Sequence, residues 1–172
     1  MIKVNFGNSL TFWRGLRFCL LLVVPFLILL KVIRRPTKMT IINKSGREVY
    51  FLLLEAGFSL SMARMLTAQA AHETGNFESA IFKENNNLFG MKLPAVRKTT
   101  AIGQNKGHAI YKTISDSIQD IQIYRNNYKY LSDYSSLEIY VKALKRNNYF
   151  EASETEYLNG CTHFYNLYFN GK

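Results

Sequence analysis

Cysteine, histidine and acid are all scarce in parts of this chain, and each scarcity removes a class of protein. Two cysteines among 172 residues cannot build a disulfide scaffold, and Cys19 lies in a strongly apolar stretch far in sequence from Cys161, so no bridge between them is expected. His72, His108 and His163 are widely spaced and no CxxC pair accompanies them. Structural zinc has no support in that pattern, and no metal or cofactor is expected. The first 40 residues hold no acid at all; Glu48 is the first. Those 40 positions account for most of the formal net charge of +10, because residues 41–172 carry 15 basic against 12 acidic groups. Charge confined to one terminus argues against a basic nucleic-acid-binding domain, so nucleic acid is not an expected partner.

What is present is a chain with 48% hydrophobic and 20% charged residues, enough for one compact domain and too short for two with independent cores. Residues 18–30 are uninterruptedly non-polar, and the stretch reaches Ile33 if Lys31 snorkels. As a helix, residues 18–33 would rise about 24 Å against a ~30 Å hydrocarbon core, with Phe12 and Trp13 near one interface. This reads as one transmembrane helix anchoring the chain in the lipid bilayer, after an N-terminal tail at 1–17. The rival readings are the centre of a cleaved signal peptide, a membrane-surface helix and a buried core helix. The segment lacks a small-x-small cleavage site and ends in Lys-Val-Ile-Arg-Arg, which speaks against cleavage. Basic groups flank both ends, so the positive-inside rule gives no orientation.

Residues 34–46 read as a linker and 47–172 as the folded domain. Val49, Phe51, Leu52, Leu53, Leu54 and Ala56 suggest a first helix ended by Gly57, although so short an apolar run also fits a buried strand. Ser59 or Ser61 can cap a second helix running to Glu73 and Gly75. Residues 115–128 read as a further helix. Ser135 with Glu138, and Ser153 with Glu156, have capping-box spacing. The Gly-, Thr- and Lys-rich residues 92–108 form the loop or hairpin region. The expected fold class is therefore mainly α, with five or six helices and one irregular insertion or small β-hairpin.

Glu73 falls seven residues after Leu66 and four after Gln69, on one helical face. Leu66 can enter the core while Glu73 emerges at its rim, and desolvation at the C-terminal end of a helix would raise its pKa toward that of a general acid. A lone glutamate near a helix end is more often solvated or capping. His72-Glu73 is not a zinc-protease motif, since no histidine follows His72 by four; His72 reads as a surface or packing residue. Asn85, Asn86 and Asn87 read first as turn residues.

Residues 66–92, LTAQAAHETGNFESAIFKENNNLFGMK, resemble the signature of glucosaminidase domains of glycoside hydrolase family 73, which act on bacterial peptidoglycan and share the lysozyme-like fold. The matching elements are Ala68-Gln69-Ala70, Glu73-Thr74-Gly75 and Asn86-Asn87-Leu88-Phe89-Gly90. Thr74 stands where serine is usual, and Asn76-Phe77 replaces Trp-Gly. A looser match runs through Tyr111, Ser115, Asp120, Tyr140, Asn148-Tyr149 and Tyr157. The resemblance implies a lysozyme-like domain in which Glu73 protonates the glycosidic oxygen of a β-1,4 bond. Tyr149 would position substrate or water, and Gln69, Asn86, Asn87, Phe89 and Tyr111 would line or shape the sugar cleft.

Glycosidases ordinarily pair two acids. The family's second acid belongs to the hairpin after Leu-Phe-Gly, yet residues 91–114 contain no Asp or Glu. Glu78 and Glu84 are the nearest substitutes in sequence, with Asp116 and Asp120 further off. Substrate assistance by the N-acetyl group, attack by the sugar's C6 hydroxyl as in lytic transglycosylases, and a non-catalytic glycan-binding module all remain open. Lys92, Arg97, Lys98, Lys106 and Lys112 would steer anionic wall polymers toward the cleft. A catalytic domain facing the periplasm or cell wall, or carried on a virion, follows from where the polymer lies; the settings are an envelope machine, wall remodelling, or phage lysis or entry.

Overall fold

The computed structural model describes residues 44–128 and 133–171. The expected tail, anchor and most of the linker lie outside the described residues, and among the described residues no helix is long and apolar enough to cross a membrane. Chain order is α1 (Lys44–Glu55), α2 (Leu60–Glu73), α3 (Ala80–Asn85), β1 (Gly103–Asn105), β2 (His108–Ile110), α4 (Ile114–Asn127), α5 (Leu137–Arg146) and α6 (Glu154–Tyr165), with α6 running into a π-helical turn at Asn166–Asn170. A mainly helical domain with one two-stranded sheet is what the sequence suggests.

Residues 49–54 are helical, not extended. Val49, Tyr50 and Leu53 share the buried face while Phe51 is 38% exposed, a helical and not an alternating pattern. The helix begins at Lys44, so residues 44–46, read as linker, form its first turn. Gly46 is kept there despite a helix-interior cost of about 1 kcal/mol, because a Cβ would lie 2.7 Å from the Tyr168 ring. Gly57, with φ +89°, ends α1; its N–H donates to the Leu54 carbonyl and that of Phe58 to the Leu53 carbonyl.

Helix α2 is the core helix. The Ser59 hydroxyl accepts from the Met62 N–H at 3.2 Å to start it, and nine of its 14 residues are buried. A helix apolar on nearly all sides must be surrounded, and α2 packs against both α1 and α6. Its end is fixed by an unusual turn in which Gly75, Asn76 and Phe77 all have positive φ, at 56°, 61° and 67°. Such backbone is costly for the last two and persists only when neighbours over-determine it. Here the Thr74 hydroxyl donates to the Ala70 carbonyl at 2.6 Å and accepts from the Phe77 N–H at 2.9 Å. The Tyr168 hydroxyl is bonded to Asn76 Oδ1, and the Phe77 ring is buried against Phe82 and Tyr168. Thr74 thus supplies a hydroxyl where serine is usual, and the turn sets where Glu73 leaves the core.

Ser153 caps α6 by accepting from the Glu156 N–H. At α5 the cap is Ser136, which accepts from the Ile139 N–H, one residue later than Ser135; adjacent serines make the two registers indistinguishable by spacing. A reciprocal capping box occurs at Thr113 and Asp116, opening α4. The hairpin pairs Gln104 with Ala109 and turns on Lys106 and Gly107, whose φ values of 50° and 76° match the favoured two-residue turn.

Candidate active site

An open groove of about 1500 Å³ crosses the domain, larger than the roughly 300–1,000 Å³ of small-molecule pockets and suited to a polymer. It is bounded by His72 and Glu73 at the end of α2, by parts of residues 89–98, by His108, by the last turns of α4, and by residues 147–152 with Tyr157. Glu73 is half-buried. Burial raises its pKa above the ordinary carboxylate value, and the Tyr157 hydroxyl, donating to Oε1 at 2.5 Å, offsets part of that rise. The carboxyl also lies against Gly90: a Cβ there would sit 3.2 Å from Oε2, so this glycine admits the acid as well as adopting φ +60°.

The Leu-Phe-Gly turn that carries Gly90 is built by the asparagines. Asn87 donates to the Met91 and Ala109 carbonyls, both at 2.9 Å, and its Oδ1 accepts from the Phe89 and Met91 N–H groups. Asn86 donates to the Tyr111 and Lys112 carbonyls, and the Ser117 hydroxyl accepts from the Leu88 N–H. Tyr149 closes the arrangement, its hydroxyl donating to the Phe89 carbonyl at 2.6 Å. Burial first and the nearby Glu73 charge second push the Tyr149 pKa well up, so its hydroxyl keeps its proton and positions the turn.

Several expected site residues fall elsewhere. Phe89 and Tyr149 border the groove; Gln69, Asn86, Asn87 and Tyr111 are not among its lining residues. Gln69 is fully buried in α2, its Oε1 accepting from the Tyr140 hydroxyl at 2.5 Å. Tyr111 is buried and donates to Asp120 at 2.7 Å. Asn86 and Asn87 spend their amides on backbone carbonyls. Glu78 and Glu84 are exposed surface residues paired with Lys83 and Lys106, and neither is among the residues that line the groove.

His72 packs, as one of its two expected readings has it, and also borders the groove. It lines the same groove as Glu73, its ring edge-on to Tyr157 at 4.9 Å, in a notch that exists because any Cβ on Gly160 would collide with the imidazole. Burial lowers its pKa, favouring the neutral ring. Of the basic loop, Arg97 is neutralised by a bidentate pair with Asp120 at 2.7 and 2.8 Å. Burial works to raise Asp120, but hydrogen bonds from Arg97, Tyr111 and Thr99 overcome it and hold the carboxylate below its ordinary value. With Lys106 also paired, Lys92 and Lys98 carry the positive charge that faces the groove. Sequence reasoning did not read Tyr157, though named, as the partner of Glu73, nor place Glu151 or Phe150 in the groove. Among the described residues no group of three or more His, Cys, Asp or Glu side chains is arranged to hold a metal ion.

The family model for glucosaminidase, described as mannosyl-glycoprotein endo-beta-N-acetylglucosaminidase, matches residues 59–169. The chain belongs to the glucosaminidase family. The matched span of this glucosaminidase domain runs from the Ser59 cap through Glu73 and the groove to the π-helical turn. Protein bax of Escherichia coli (strain K12) is 39% identical over 54 residues, which cover 31% of this chain and 20% of that protein. The chain thus spans a fifth of the curated relative it matches. No solved structure matches the chain.

Proposed function

We propose that the protein is a peptidoglycan hydrolase that cleaves β-1,4 glycosidic bonds of the glycan strand as an endo-acting N-acetylglucosaminidase, with Glu73 as general acid. The observation that carries this reading is a carboxyl at the rim of a polymer-sized groove whose pKa burial raises, the direction that favours its protonated, proton-donating form. Family membership supports a glycosidic substrate for that carboxyl. Glu73 delivers its proton to the bridging oxygen as the bond to the anomeric carbon breaks, a contribution of roughly 10²–10⁴ in rate. Tyr149 acts through the turn at Phe89 and Gly90 and is a positioning residue. Flat faces for sugar rings come from the half-buried groove aromatics, Tyr128 and Phe150; Phe89, at the groove's border, is too deeply buried to offer one.

The full chain in mild detergent, wild type and Glu73→Gln, incubated with purified peptidoglycan tests this. Mass spectrometry of the wild-type products should show reducing N-acetylglucosamine ends, absent with Glu73→Gln. A second reading, cleavage of the transglycosylase type, is favoured by the absence of any acid from residues 91–114 and would leave 1,6-anhydro-muramic ends. Equal release by both proteins would point to a glycan-binding module.

The apolar run at 18–33 with basic flanks supports a membrane anchor that holds the domain on the wall side, in an envelope, wall-remodelling or virion setting. Release of the chain from membranes by carbonate in place of detergent would refute the anchor and leave the glycosidase reading intact.

A further inference from the structure

We infer that Glu151 is the second carboxylate of the reaction, the base that activates water. The inference rests on the glycosidase reading above and supplies the group that the hairpin lacks. Among the described residues that line the groove, Glu73 and Glu151 are the two carboxylic acids. Where water is activated directly, delivering a proton on one side of the anomeric carbon and removing one from water on the other is ordinarily shared between two carboxyl groups.

The backbone that carries Glu151 is held in place. Lys145 Nζ donates to three successive carbonyls, those of Phe150, Glu151 and Ala152, at 3.5, 3.1 and 2.7 Å, and lies 5.1 Å from the centre of the Phe150 ring. That ring stacks on Tyr157 at 3.8 Å with the planes 1° from parallel, and Tyr157 is the residue bonded to Glu73. One stack and one hydrogen bond therefore join the backbone of Glu151 to the acid. The Glu151 residue itself is exposed, open to water and to a bound strand.

In the step, Glu73 transfers its proton to the glycosidic oxygen and the C–O bond pair leaves with that oxygen. A water oxygen forms the new bond to the anomeric carbon, and the proton it loses passes to Glu151. Glu73 ends as the carboxylate and Glu151 as the acid; exchange with solvent restores both.

The full chain as wild type, Glu151→Gln, Glu151→Ala and Glu73→Gln is assayed for release of reducing ends from peptidoglycan, with co-sedimentation as the measure of glycan binding. Glu151→Gln should lose about 100-fold or more in kcat, within the range ascribed to general bases, with binding kept. Sodium formate should restore Glu151→Ala but not Glu73→Gln. Because Glu151 is exposed, both variants should keep the wild-type Tm. Activity of Glu151→Gln within threefold of wild type overturns the inference, as does a loss that formate leaves unrepaired, and the glycosidase reading then stands. Anhydro-muramic products overturn it too, since no water is then activated. No release by wild type removes the glycosidase reading and this inference together.

Discussion

Gly90 offers a way to disturb the candidate acid without touching it. Its φ of +60° penalises any L side chain by about 1–2 kcal/mol. In Gly90→Ala the new methyl would also press on the carboxyl, 3.2 Å from Glu73 Oε2 and 3.9 Å from Cδ. The backbone cost can be measured separately at Gly107, which has φ +76° and nothing within 4 Å of a built Cβ. Both variants should therefore lose about 1–2 kcal/mol, which for a chain of this size lowers Tm by roughly 2–8 °C. They should part company in catalysis. The carboxyl of Glu73 has to yield by a few tenths of an ångström, toward or away from Tyr157, and misplacements of 1 Å cost on the order of 10²-fold. A fall of about tenfold in kcat is expected for Gly90→Ala and none for Gly107→Ala, read from peptidoglycan turnover at a temperature where both are folded. Equal activities would refute the claim that the Leu-Phe-Gly turn serves to seat the acid.

Two further perturbations probe the same groove. Tyr157→Phe keeps the stack on Phe150 but removes the hydroxyl that favours the charged form of Glu73, leaving desolvation unopposed. The acid should then hold its proton to higher pH, moving the alkaline limb of the kcat/KM profile upward; a limb that stays or moves down would contradict the assignment. Arg97→Ala strands the fully buried Asp120 and should cost about 3–5 kcal/mol in urea denaturation, as breaking a buried ion pair does. A cost below about 1 kcal/mol would mean that water reaches Asp120 once the guanidinium is gone.

Helix α2 with its cap narrowed to Ser59 or Ser61, the Ser153 cap, a loop or hairpin after residue 92 and the place of Glu73 at a helix end are legible in sequence because each depends on residues within one or two turns of one another. The partner of Glu73 is not. Eleven tyrosines are available, and the one that reaches the carboxyl is 84 residues away, chosen by how α6 packs on α2. The asparagines at 86 and 87 read first as turn residues and do build the turn; the residue type also suits a sugar ligand, and only the carbonyls they meet show where their amides go. The packing role of His72 is legible, but its place at the groove is not, because only the way α6 meets the last turn of α2 brings it there. Glu151 has no local pattern at all, standing in a connection between α5 and α6.

The position of Glu73 follows from what surrounds α2. A helix buried on nearly every side can bring a carboxyl to solvent only at its end, and at its C-terminal end the exposed carbonyls add to desolvation in disfavouring the anion. Both influences act in the same direction, toward the protonated acid. Tyr157 opposes them by donating to the same carboxyl, so the proton affinity is a balance between α2, which raises it, and α6, which lowers it. Tyr149, Phe150, Glu151 and Tyr157 all lie on one stretch of chain between the end of α5 and the first turns of α6. In this protein the exposed part of that stretch, Glu151 above all, and not the acid-free hairpin, is where substitutions should alter chemistry more than folding.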